Sequence, residues 1–81
     1  VVGKVQGVGF RQATVREASR LGISGWVRNQ SDGSVAVLLC GAEDALEAMS
    51  GWLQCGPARA EVERVELEAC VWQDIAGFVQ L

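Results

Sequence analysis

The 81-residue sequence predicts an α+β domain in which two helices cover one face of an antiparallel sheet. Apolar residues recur at helical spacing in two separate segments, and each of these segments ends at a glycine. The other apolar residues form short runs that are typical of strands, and these runs flank the helical segments in the order β-α-β-β-α-β.

The first half of the chain is predicted to hold a strand, a helix and a hairpin. The predicted segments are a strand over residues 1–6, a helix over 10–21 and strands over 23–30 and 34–40. Gly22 follows the last apolar residue of the helix, where a C′ glycine is expected. Ser31-Asp32-Gly33 is a turn signal between two apolar runs, so we expect a β-hairpin there.

The second half is predicted to repeat the pattern of helix and strand. Its predicted segments are a helix over residues 42–53, a strand over 64–71 and a short fifth strand over 77–81. Glu43 and Asp44 suit the first turn of that helix, and Gly56-Pro57 ends it. The strand over 64–71 is inferred from alternation, because Val65, Leu67, Ala69 and Val71 alternate with polar residues and Cys70.

This order of elements is that of the ferredoxin-like split βαβ sandwich, βαββαβ. The length favours one domain spanning residues 1–81. The chain begins on Val1 without a methionine and inside an apparent strand, so we expect a few upstream residues to be missing from this sequence.

Composition excludes several classes of site. The chain has no histidine and no tyrosine, which excludes histidine-based acid–base catalysis, Ser-His-Asp or Cys-His arrangements and histidine metal ligands. Three cysteines without CxxC spacing do not indicate a zinc site; the sequence favours small thiols of a cytoplasmic protein over one disulfide with a spare thiol. We expect Trp26, Trp52 and Trp72 to be core or half-buried residues rather than binding residues.

The charge of the chain is unevenly distributed. The net charge is −3, which argues against general nucleic-acid binding, and no apolar stretch approaches the length of a membrane span. Residues 1–31 hold five of the seven basic side chains and one acid. An anionic ligand would therefore be attracted to the first third of the chain, unless folding mixes the two halves.

The loop between the first strand and the first helix is the strongest candidate for a site. Gly7 and Gly9 can adopt positive φ, which allows successive N–H groups to form a concave anion-binding nest. The first turn of the helix adds unsatisfied N–H groups, and Arg11 adds a planar guanidinium that can bind two oxygens. The loop matches neither a Walker A sequence nor the GxGxxG dinucleotide motif. The alternative is a tight turn in which the glycines serve geometry alone.

Asn29 is the second candidate. It ends the second strand beside the hairpin turn, and in this topology that end of the strand returns towards the loop after the first strand. Its side-chain amide could then orient a water molecule near Arg11. The alternative is a turn asparagine with no role in a site.

Two motifs resemble the acylphosphatase family: VQGVGFR at residues 5–11 and GWVRN at 25–29. The resemblance extends over the whole chain, and includes LGI at 21–23 and the Gly77-Phe78 pair. It implies a small cytoplasmic monomer that hydrolyses the carboxyl–phosphate bond of acyl phosphates without a metal, a cofactor or a covalent intermediate.

The resemblance also assigns roles to residues of this sequence. Arg11 would bind the phosphoryl oxygens and Asn29 would orient the attacking water. The backbone amides of the loop would hold the phosphate, and its residues are Gln6, Gly7, Val8, Gly9 and Phe10. Further candidates near the site are Lys4, Gln12, Thr14 and Arg28.

Three other readings remain at this point. The domain could be an acylphosphatase-like module of a larger maturation protein that handles carbamoyl phosphate. It could be a regulatory module that binds an anion without hydrolysing it. An RNA-binding role on the open sheet face would require paired aromatic residues on central strands, where the third strand has valine, alanine and leucine.

Overall fold

The computed structural model of the chain describes residues 1–68 and 74–81. Cys70, Trp72 and the end of the predicted strand over 64–71 lie outside these residues. The expectation that Trp72 is a core or half-buried residue therefore lies outside them too. The described elements, in chain order, are β1 (Val2–Lys4), α1 (Phe10–Arg20), β2 (Ser24–Asn29), β3 (Val35–Cys40), α2 (Glu43–Cys55), β4 (Glu61–Arg64) and β5 (Phe78–Gln80).

The strands pair in two groups, which backbone hydrogen bonds between Val1 and Val35 join. β2 pairs antiparallel with β3 and parallel with β5, and β1 pairs antiparallel with β4. Val1 and Val35 exchange two N–H···O=C bonds of 2.7 and 2.9 Å, as opposed residues of an antiparallel pair do. The strand order is therefore β4-β1-β3-β2-β5, which confirms the predicted ferredoxin-like βαββαβ fold. The sheet is antiparallel except at its β2–β5 edge.

Both helices pack on the same face of the sheet. Phe10 and Ala18 of α1 and Met49 and Leu53 of α2 share a buried cluster with Val27 of β2. The rings of Phe10 and Trp52 join the helices, with centroids 5.9 Å apart. Because side chains alternate along a strand, Trp26 and Arg28 lie on the opposite face, where the Arg28 guanidinium carbon is 4.9 Å from the centroid of the Trp26 ring. Trp26 and Trp52 are half-buried, as expected.

The end of α1 follows the sequence prediction. Gly22 adopts φ 72°, its N–H donates to Ser19, and the N–H of Ile23 donates to the carbonyl of Ala18. This pair of bonds is a Schellman motif, which satisfies carbonyls that the helix leaves without partners. The motif turns the chain directly into β2 and so fixes the position at which β2 begins.

The predicted bounds of the fourth strand were wrong. β4 covers Glu61–Arg64, and residues 65–68 have no regular secondary structure. Leu67, which the alternation assigned to the buried face, is 64% exposed. The pairing of β1 with β4 joins Lys4 to Glu61 and Val2 to Arg64. Alternation in a sequence indicates faces but does not indicate where a partner strand lies.

Candidate active site

The loop between β1 and α1 borders a small pocket at the end of β2. The pocket has a volume of about 140 Å³. Its lining residues come from the loop, the first turn of α1, β2 and β5: Val5, Gly7, Gly9, Phe10, Arg11, Gln12, Asn29 and Gln80. Segments that are far apart in the sequence therefore meet at one concave surface.

The two loop glycines have the left-handed conformation that the nest hypothesis requires. Gly7 adopts φ 74° and Gly9 adopts φ 77°, and a Cβ at either position would meet no atom within 4 Å. Glycine is thus favoured here by the backbone conformation and not by lack of space. Gly9 is also the N-cap of α1 and offers no side-chain acceptor to the first-turn N–H groups. Those N–H groups are suited to an anionic ligand.

Arg11 lies in the first turn of α1, half-exposed at the pocket. Its Nη1 donates a hydrogen bond to the backbone oxygen of Leu81 at 2.6 Å. A guanidinium carries five N–H donors in a planar fork, so this one bond orients the group and leaves further donors for a ligand. No local sequence pattern indicates this contact, because it joins residues that are 70 positions apart.

Asn29 reaches the same pocket from the other side. It is the last residue of β2, where it pairs with Val35, and it is exposed. It shares the face of Val27, which is the face that the helices cover. Asn29 and Arg11 therefore line one pocket together, although eighteen positions separate them in the sequence.

Gln6 and Val8 do not line the pocket, although both belong to the predicted phosphate loop. The Nε2 of Gln6 donates to the backbone oxygens of Gln30 and Ser34, at 2.7 and 2.9 Å. Val8 is half-buried and packs against the core. Phe10 lines the pocket, although the residue is almost fully buried. Gly7, Gly9 and Phe10 are thus the members of the predicted loop that face the pocket.

The further candidates divide in a similar way. Gln12 lines the pocket, whereas Lys4 and Arg28 are exposed elsewhere. The buried hydroxyl of Thr14 donates to the carbonyl of Phe10 at 2.8 Å, so Thr14 packs within α1. Gln80 also lines the pocket, and the sequence did not identify it. Its position depends on the parallel pairing with Val27 in β2, which no local pattern indicates.

Two wider clefts adjoin residues 64–68, and their chemistry does not suit an anion. They have volumes of about 390 and 430 Å³ and share Val37, Leu39, Leu67 and the carboxylates of Glu66 and Glu68. Two carboxylates beside an apolar wall repel a phosphate group. The small pocket with Arg11 is therefore the better candidate for phosphate.

Three further features of the described residues concern metal-binding clusters, membrane-spanning helices and free cysteines. Residues 1–68 and 74–81 contain no group of three histidine, cysteine or carboxylate side chains that could hold a metal ion. Over the same residues, no helix has the length and apolar character needed to cross a membrane. Cys40 is a buried free thiol and Cys55 an exposed one.

Comparison with known proteins gives consistent matches along the chain. The sequence model of the Acylphosphatase family matches residues 1–79. An acylphosphatase of Pseudomonas paraeruginosa is 57% identical over 79 residues, which are 98% of this chain and 87% of that protein.

Solved structures agree with this match. The structure of an acylphosphatase from Coxiella burnetii has a TM-score of 0.95 at 40% identity, and the match covers 99% of this chain and 84% of that one. The structure of T. kodakarensis HypF has a TM-score of 0.81 at 28% identity, and the match covers 96% of this chain but 10% of that one. The family match over nearly the whole chain, together with 57% identity to a named member, shows that this chain belongs to the acylphosphatase family.

Proposed function

We propose that this chain hydrolyses acyl phosphates to a carboxylate and inorganic phosphate, with the pocket between the β1–α1 loop and Asn29 as its active site. The observation that carries the proposal is that Arg11, the loop glycines and Asn29 line a single pocket. Family membership supports the class of reaction. We further propose a single domain over residues 1–81 that acts as a cytoplasmic monomer on a small-molecule substrate.

The phosphate end of the substrate is held by the loop and Arg11. Backbone N–H groups around Gly7, Gly9 and Phe10 converge with the positive end of the α1 dipole. Arg11 binds two phosphoryl oxygens through its planar fork. In phosphoryl transfer the developing charge is spread over the equatorial oxygens, so donors aimed at these oxygens stabilise the transition state.

Asn29 orients the attacking water. Its amide oxygen accepts a hydrogen bond from the water, which directs the water oxygen at phosphorus. The new P–O bond forms with this water, and the bond from phosphorus to the acyl oxygen breaks. The carboxylate leaves with the electron pair of that bond, and the proton of the water passes to a phosphate oxygen. Because a carboxylate is a good leaving group, no strong general acid is needed.

The test is hydrolysis of benzoyl phosphate by the purified chain in the presence of EDTA. We expect rapid turnover that is insensitive to EDTA and is lost in Arg11→Ala. Arg16→Ala is the matched control, since Arg16 is an exposed arginine of the same helix that does not line the pocket. Absence of turnover from a chain shown by circular dichroism to be folded would overturn the proposal.

The alternative is an anion-binding module of a larger carbamoyl-phosphate-handling maturation protein. The longer protein among the matches is HypF, of which this chain covers 10% at 28% identity, whereas an acylphosphatase is covered to 87% at 57% identity, so this alternative is the weaker one. The two are separated by substrate: the alternative predicts binding of carbamoyl phosphate with no turnover of benzoyl phosphate.

A further inference from the structure

Gln6 connects the β1–α1 loop to the β2–β3 turn. Its side chain crosses from the start of the loop to the hairpin and donates to the backbone oxygens of Gln30 and Ser34, at 2.7 and 2.9 Å. Both partners are carbonyl acceptors, so only the NH₂ group of the amide can satisfy them, and it uses both of its N–H bonds. This fixes the orientation of the amide without reference to any ligand.

The turn that accepts these two bonds from Gln6 is itself stabilised by local hydrogen bonds. The N–H of Gln30 donates to the Ser34 oxygen at 2.8 Å, which closes the hairpin. The hydroxyl of Ser34 donates to Oδ1 of Asp32 at 2.6 Å, and the backbone N–H of Ser34 donates to the same oxygen at 2.9 Å. Because these contacts oppose deformation of the turn, the bonds from Gln6 restrain the hairpin as a unit.

The restrained hairpin carries Asn29. Gln30, whose oxygen Gln6 contacts, directly follows Asn29 in the chain, and Gln6 directly precedes Gly7. The bond to Gln30 therefore joins the immediate neighbours of two pocket residues, Gly7 and Asn29, that belong to different segments. Within the described residues, Gln6 is the side chain that bridges this loop to this turn by hydrogen bonds.

We propose that Gln6 is a positioning residue that sets the distance between Asn29 and the phosphate-binding loop. The inference rests on the proposed function and deepens it, because it names the group that aligns the water with the bound phosphate. Gln6 itself does not line the pocket and touches no substrate. Its effect on the reaction passes through Asn29.

The proposal predicts that loss of the Gln6 bonds affects catalysis and leaves phosphate binding unchanged. The groups that hold phosphate lie within residues 7–11 and are local to the loop and the first turn of α1, so they persist without Gln6. The water, in contrast, is held by Asn29 on the hairpin. A displacement of about 1 Å between water and phosphorus is enough to slow a positioned reaction by roughly 100-fold.

The decisive variant is Gln6→Met, which keeps the length of the side chain and removes both donors. We expect kcat for benzoyl phosphate to fall by roughly 10- to 100-fold, with the inhibition constant of inorganic phosphate changed by less than about two-fold. Gln54→Met is the matched control, since Gln54 is exposed on α2 away from the pocket, and it should keep kcat. An unchanged kcat in Gln6→Met would overturn the proposal.

A double-mutant cycle tests whether the effect passes through Asn29. In the Asn29→Ala background, Gln6→Met should lower kcat by less than about two-fold, because the group it positions is already absent. An equal fold-loss in both backgrounds would instead show that Gln6 acts independently of Asn29 and would overturn the proposal.

Loss of folded protein is separated from loss of positioning by two measurements. The inhibition constant of phosphate does not depend on the concentration of active enzyme. For kcat, the maximal rate is divided by the concentration of folded protein, which is taken from a denaturation curve. If Gln6→Met does not fold, Gln6→Leu removes the same donors without adding a charge and must show the same selective loss of kcat. If the unaltered chain does not hydrolyse benzoyl phosphate, the proposed function fails; if it does and kcat survives in these variants, only the role of Gln6 fails.

Discussion

Gly25 of β2 approaches the carbonyl of Leu38 in β3 so closely that a Cβ on Gly25 would lie 1.9 Å from the Leu38 oxygen. Gly25 also adopts φ 143°, and its N–H donates to the oxygen of Gly77 beside β5 at 3.0 Å. The absence of a side chain therefore allows β2 to lie between β3 and β5. This contact supports the strand that ends in Asn29.

Gly25→Ala is expected to destabilise the fold by about 3 kcal/mol or more, because the new methyl group meets backbone that cannot rotate away and because the φ value is strained. Urea denaturation measures the loss. Gly51→Ala is the matched control: Gly51 is an exposed glycine inside α2 with open space around its Cα. That change should stabilise the protein by about 0.5–1 kcal/mol. Equal effects at the two positions would contradict the packing argument.

Arg11→Ala should lower kcat/KM for benzoyl phosphate by roughly 1,000-fold and weaken inhibition by inorganic phosphate by at least about 10-fold. In the proposed mechanism the guanidinium contacts phosphate charge in both the ground state and the transition state, so both quantities should change together. Arg11→Lys should recover little of the loss in kcat, since an ammonium lacks the planar fork. Steady-state kinetics with phosphate as inhibitor checks this, and full activity in Arg11→Lys would show that charge alone suffices.

Asn29→Ala should lower kcat by roughly 100-fold or more while the inhibition constant of phosphate stays within about two-fold. In the proposed mechanism the amide contacts the water and not the phosphate, so phosphate binding should be kept while turnover is lost. The same kinetic assay serves, with circular dichroism to show that the β2–β3 hairpin is intact. Normal hydrolysis by this variant would remove Asn29 from the mechanism.

Asp32 gives the hairpin turn a dependence on pH. The hydroxyl of Ser34 and the backbone N–H of Ser34 both donate to the carboxylate of Asp32. These two hydrogen bonds hold the pKa of Asp32 below its ordinary value. The ionised form is favoured in the folded state, so its contribution to stability is present above about pH 4 and is lost as the pH falls through the lowered pKa.

We therefore expect the difference in urea midpoint between the unaltered chain and Asp32→Asn to be constant above about pH 5 and to shrink below about pH 4. In Ser34→Ala the urea midpoint should depend less on pH than in the unaltered chain, because this change removes the hydroxyl donor to Asp32 and keeps the backbone N–H donor. A difference that is the same at pH 3 and pH 7 would contradict this account.

Local features were predictable because they depend on neighbouring residues. The end of α1 at Gly22, the turn at Ser31-Asp32-Gly33 and the left-handed glycines before Arg11 each follow from the conformational preferences of a few adjacent residues. The meeting of Asn29 with this loop followed from the order of elements, since a right-handed βαβ connection leaves few alternatives.

Features that depend on a distant partner were not predictable. Alternation assigned Leu67 to a strand, yet β4 ends at Arg64, because alternation does not indicate where a partner strand lies. Gln80 enters the pocket through its parallel pairing with β2, and Gln6 turns to the hairpin because two backbone oxygens lie within its reach there.

The sequence by itself determined the fold, the family and the residues of the loop and hairpin, since periodicity, glycines and two spaced motifs are properties of short segments. Only the tertiary structure decided which of those side chains face the pocket. Arg11 meets Leu81, and Gln6 meets Gln30 and Ser34, through backbone oxygens. Every residue carries a backbone oxygen, so residue identity does not reveal which one a side chain will contact.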